Sequence, residues 1–122
     1  MLFSIESQSY IRDIPHRKEF EIWRSRLTDE EYQAIVDELN NRIESGEIHT
    51  SSWIPGSDWT GTVFQPIYEK ACRYDKEAAA KFFGLIVWAV LLEHDDVWAF
   101  GRYEKDGVSI EGLTYFKLSR IP

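Results

Sequence analysis

Three histidines, His16, His49 and His94, are the only imidazoles in this chain of 122 residues, so nucleophilic catalysis would have to be built around one of them. Ser51 and Ser52 come soon after His49, but no turn of the nucleophile-elbow kind marks either hydroxyl. His94, Asp95 and Asp96 bring metal-ligand types together. Adjacent side chains diverge, however, and only His94 and Asp96 could share an ion, on extended backbone. The tetrad Glu93-His94-Asp95-Asp96 reads more simply as a polar turn between an apolar segment and a strand. The GSDWTG stretch lacks the lysine of a phosphate loop. With 21 acidic residues, some close carboxylate pair is unavoidable and carries no signal for sugar hydrolysis. Cys72, the single cysteine, forbids an internal disulfide and sits at helical spacing from Tyr68, as a small buried apolar residue would. No catalytic residue, metal site or cofactor is expected.

The stretch best suited to bind something is residues 49–62, HTSSWIPGSDWTGT, where large aromatics share a loop with turn residues and small hydroxyls. Trp53 and Trp59 either anchor the loop to the core or wall a pocket. In the second case His49 or Asp58 supplies the polar contact. His94, at the end of the apolar segment, and Arg102, on a C-terminal hairpin, complete the candidate binding residues.

Two elements must position these residues. Residues 85–92 are apolar throughout, and periodicity alone does not separate a buried helix from a buried strand. Asp75 is a good N-cap, and Lys76, Glu77, Ala78, Ala79, Ala80 and Lys81 are strong helix formers, so a helix over 76–93 is expected, with Trp88 inside the core. The alternative is a break at Gly84 and then a strand. A helix apolar all round must be wrapped by protein, and its uninterrupted apolar part is too short to cross a membrane. The second element is the hairpin, about 97–105 and 108–117, turning at Asp106-Gly107. Its expected register pairs Lys105 with Val108, Arg102 with Glu111, Gly101 with Gly112, Phe100 with Leu113 and Trp98 with Tyr115. The facing glycines would leave a bare patch where the long helix or a ligand could approach. Residues 108–118 would present an edge guarded only by Glu111 and Lys117. A two-fold copy or a strand at residues 2–6 would cover it.

Ahead of these, Pro15 can open a surface helix carrying Phe20, Trp23 and Leu27 on one face, with Lys18, Glu21 and Ser25 outward. Thr28 and Glu31 form a capping box for a helix over 29–45. Its stripe is Tyr32, Ile35, Val36, Leu39 and Ile43, its polar face carries Glu30, Asp37, Glu38 and Glu44, and Gly46 comes after it as a C′ residue. A short helix over 66–73 should turn Ile67, Ala71 and Tyr74 inward.

A chain of this length is expected to be one domain, 1–122. Aromatics make up 15% of the residues and charged residues 29%, which argues against disorder. A net charge of −7 disfavours general attraction to nucleic acid. A winged helix would need an exposed basic helix before the hairpin, whereas that helix is the most apolar in the chain. A basic stripe from Arg12, Arg17, Lys18, Arg24 and Arg26 would be the sign of a DNA binder. The expectation is an α+β domain with helices on one face of a small antiparallel sheet. Without a basic and apolar leader, it would be cytoplasmic and work by contact with a protein partner, itself as a homodimer included. The alternatives are a small-molecule binder or enzyme using residues 49–62 and, behind it, a winged-helix-like DNA binder.

Overall fold

The computed structural model describes residues 1–4, 7–43, 59 and 61–100, with the strand backbones at 48–49, 101, 104–105, 108–109 and 114–117. Glu44, Gly46, Ser51, Ser52, Trp53, Asp58, Arg102, Asp106, Gly107, Glu111 and Gly112 lie outside the described residues.

The α+β expectation is borne out, and one helix occupies its centre. We number the α-helices α1 (Arg17–Ser25), α2 (Asp29–Ile43) and α3 (Lys76–Glu93). Asp75 caps α3 as its sequence implies: the carboxylate accepts from the backbone N–H of Glu77 at 3.0 Å and of Ala78 at 3.1 Å. The helix runs through Gly84 without a break, and Ala79, Phe82, Phe83, Leu85, Ile86, Val87, Ala89, Val90 and Leu91 are buried on it. Trp88 departs from expectation. It is half-buried, its ring rests on Phe100 with centroids 4.7 Å apart, and its indole N–H donates to the Asp13 carbonyl at 3.0 Å. The polar end of the indole explains this position, since a buried N–H needs an acceptor. Among the described residues no helix is long and apolar enough to cross a membrane.

Helix α3 is covered by other helices and by a sheet. Phe82 meets Phe20 and Trp23 of α1 at 5.8 and 5.6 Å, and Ile35, Leu39 and Ile43 of α2 join the same core. Lys18, Glu21 and Ser25 face outward as expected. α1 starts two residues later than Pro15, because His16 takes a left-handed conformation, φ 53°, and ends the preceding turn. The capping box at α2 is present: Thr28 Oγ1 accepts from the Glu31 N–H at 3.1 Å, and the Glu31 carboxylate accepts from the Thr28 N–H at 2.9 Å. In place of a regular helix after Pro66, a π-helical turn spans Ile67–Ala71, with both end residues buried. Tyr74, expected inward, is 66% exposed. Arg73 and Tyr74 both take positive φ, 51° and 68°, and turn the chain outward before α3.

The strands are β1 (Leu2–Ser4), β2 (Ser9–Ile11), β3 (Ile48–His49), β4 (Trp98–Gly101), β5 (Glu104–Lys105), β6 (Val108–Ser109) and β7 (Thr114–Lys117). Five of them form a sheet in the order β2-β1-β4-β7-β3, and β5 pairs with β6 separately. Leu2, Ile11, Trp98 and Phe100 face the helical core, while Phe3 and Tyr10 pack edge to face at 5.3 Å on the opposite side. The sheet is mixed, not antiparallel, because β1 and β4 run parallel. The helices between them supply the long crossover that parallel strands require.

The hairpin corrects the expected register in part. Lys105 faces Val108, as a two-residue loop demands, but further out Gly101 faces Thr114, Phe100 faces Tyr115 and Trp98 faces Lys117. The second arm carries two more residues between its paired segments, 110–113 against 102–103. A slip by two keeps every residue on its original side, so alternation cannot detect it. Gly101 therefore has no glycine opposite it. The edge expected at 108–118 is corrected at 114–117: β7 lies between β4 and β3, and the N-terminal strand pairs with β4.

A Cβ built at Gly84 meets nothing within 4 Å, so Gly84→Ala should raise stability by about 1 kcal/mol in urea melts, the propensity difference between the two residues; a loss would mean that this turn of α3 is crowded. The Glu31 carboxyl is held below its ordinary 4.5, first by the Lys70 ammonium at 2.6 Å and then by the Thr28 N–H. A lowered folded value makes its contribution complete above the ordinary range and lost as pH falls through the folded value. The stability gap between wild type and Glu31→Gln should thus be constant above pH 4.5 and shrink below it. A gap independent of pH would show that the carboxylate contributes no linkage.

Candidate functional site

Of the residues that sequence put forward, Trp59 and His94 have described side chains. The Trp59 ring packs on Phe64 at 6.1 Å and on Phe83 of α3 at 5.7 Å, so it anchors its end of the loop to the core. Its carbonyl accepts from Thr62 N–H and Oγ1 at 3.0 and 2.7 Å, closing a turn in which Gly61 has φ 80°. His94 forms the polar turn after α3: its Nδ1 accepts from the Asp96 N–H at 3.1 Å, and its ring lies edge-on to Trp98 at 6.1 Å. Phe83 and His94 are 11 residues apart, roughly 16 Å of helix rise, so Trp59, packed at mid-helix, stands well away from His94 at the C-terminal end of α3. His49 enters through its backbone, in β3 opposite Thr114. Trp53, Asp58 and Arg102 lie outside the described residues.

The arginines offered as a basic stripe are largely engaged. Arg17 bridges Asp13 at 2.8 Å and Glu21 at 3.2 Å. Arg24 pairs with Asp29 at 2.8 Å and covers the Tyr32 ring, while Arg26 donates to the Ala71 carbonyl at 2.7 Å.

A different place has the character of a binding surface. It lies where β2 passes the C-terminal end of α3. Tyr10 and Ile11 suit a strand, and the chain reaches them through a turn in which the Ser7 N–H donates to Ser4 Oγ at 3.3 Å and Gln8 takes φ 50°. The Met1 amino group donates to the carbonyls of Leu91 at 2.9 Å, His94 and Asp96, and the Met1 carbonyl accepts from Trp98 N–H at 2.8 Å. These bonds fasten the start of β1 to the end of α3. They leave an open hollow of about 450 Å³ lined by Met1, Tyr10, Ile11, Arg12 and Leu92. Met1 is 45% and Tyr10 39% exposed, and β2 has a strand on one side only among the described residues.

The lining residues are apolar apart from Arg12 and the phenol-bearing Tyr10, with no Asp, Glu, His or Cys among them. Such a set can bind a chain but holds no acid–base pair. The sequence conceals this place, because Ser7-Gln8-Ser9 reads as polar linker. Its signal is Tyr10-Ile11, two β-formers placed after a turn.

The one thiol also lies apart from any site. Cys72 is 4% exposed, and burial pushes its pKa up to about 12, with Asp75 adding to the shift and Arg26 opposing it. Native protein near neutral pH should therefore resist thiol reagents, with labelling tracking global unfolding in denaturant. Rapid labelling of the folded protein would show that the segment around Cys72 opens locally.

Comparison with models of known protein families, with curated proteins and with solved structures finds no match for this chain in any of the three.

Proposed function

We propose that this chain is a binding protein that acts by contact with another protein through the open edge of β2 and the hollow beside it. The observation that carries this reading is an edge strand with one neighbour among the described residues, flanked by exposed Met1 and Tyr10 and an apolar hollow of about 450 Å³. Unpaired strand edges are templates for another chain, and exposed apolar side chains beside one supply affinity once covered. The lining favours contact over catalysis. A single, buried free thiol accords with a cytoplasmic protein.

Site-specific photo-crosslinking tests the reading. A photoreactive phenylalanine analogue is placed at position 10 and, as a control, at position 74, where Tyr74 is 66% exposed on other elements. Position 10 should yield a discrete adduct that position 74 does not. Excess unlabelled protein should suppress this adduct, and excess Tyr10→Lys protein should not. Identical adducts from both positions, or none from position 10, would overturn the proposal.

A further inference from the structure

We infer, resting on that binding role for β2, that the partner presents an extended and largely apolar segment carrying one carboxylate. Its backbone continues the sheet beyond Ser9–Ile11, an apolar side chain fills the hollow beside Ile11 and Leu92, and the carboxylate meets Arg12.

Three observations converge on this occupant. Strand β2 leaves one side without a described partner, and an added strand satisfies backbone groups that water otherwise serves. Tyr10 and Ile11 of that strand line the hollow, and four of its five lining residues, Met1, Tyr10, Ile11 and Leu92, are apolar or aromatic. Arg12, the fifth, is exposed and forms no hydrogen bond or ion pair among the described residues. Its neighbour Asp13 is already held by Arg17 at 2.8 Å. A guanidinium with no counter-ion among the described residues, on a residue that lines an apolar hollow, is matched by a carboxylate, which it can bind through two parallel hydrogen bonds.

The overall charge of −7 does not remove this match. At physiological salt the Debye length is about 8 Å, so the charges near Arg12 decide the local field, not the sum over the surface. A second copy of the chain fits less well. Self-pairing of β2 centred on Tyr10 would set Arg12 against Gln8, an amide, and Gln8, at φ 50°, ends the strand there. That leaves a three-residue strand to hold together what stable dimers bury over roughly 1,200–2,000 Å².

A displayed library of short random peptides, selected on the intact protein, tests the inference. Enriched peptides should alternate apolar residues and hold one Asp or Glu at a constant offset. Their binding should slow hydrogen exchange at the amides of Ser9–Ile11. Affinity should fall at least about tenfold in Arg12→Gln, recover in part in Arg12→Lys, and weaken with added salt. Peptides that protect β2 yet show no acidic preference and ignore Arg12→Gln would overturn the carboxylate while leaving the binding function standing. Peptides that protect another surface, or no enrichment together with no adduct at position 10, would overturn both. Sedimentation showing a dimer that Tyr10→Lys dissociates would identify the occupant as a second copy and overturn the inference.

Discussion

The burial of α3 is the constraint to which the other elements answer. Nine residues of this helix are buried, on all but the side that carries Glu77, Lys81, Gly84, Trp88 and Leu92, and fully burying a side chain the size of Leu, Val or Phe stabilises by about 1.5–3 kcal/mol. No single neighbour can cover such a cylinder. The helices α1 and α2 and the π-helical turn take part of it through Phe20, Trp23, Ile35, Leu39, Ile67 and Ala71, and the sheet takes another part through Leu2, Trp98 and Phe100. Surface ion pairs such as Lys81–Glu19, at 2.8 Å, then fix how α1 lies on α3, at an energy small beside that of the buried rings.

The polar end of this central helix sets the path of the N-terminal strands. The carbonyls at its end need donors, and the Met1 amino group supplies one to Leu91 in the last turn, one to the C-cap His94 and one to Asp96 in the turn that follows. That anchoring places β1 next to β4 in parallel and carries β2 to the outside of the sheet. The open edge and the hollow beside Leu92 are thus by-products of how the chain satisfies the end of α3.

Several features are legible in the residues alone. The cap at Asp75, the box at Thr28 and Glu31, the stripe of α2 and the tight turn after Lys105 are all local, each set by side chains within a few residues of the backbone they satisfy. The departures from expectation share a cause as well. The two-residue slip between β4 and β7, the parallel pairing of β1, the outward turn at Tyr74 and the half-buried Trp88 all depend on partners distant in sequence. Strand alternation is blind to an even slip, and an apolar run does not reveal which of its members reaches the rim.

The candidate site shows the same division. Sequence drew attention to the aromatic loop, because Trp53, Asp58 and Trp59 are conspicuous by type, and Trp59 proves to be packed on Phe64 and Phe83. Tyr10, Ile11 and Arg12 are individually ordinary and gain meaning from being on or beside a strand with one described neighbour at the end of α3. By itself the sequence determined the α+β class, the caps and the central apolar helix, since these arise from period, propensity and short-range hydrogen bonds. Tertiary structure alone decided strand order, register and the open edge, because those depend on which distant segments share the task of covering α3.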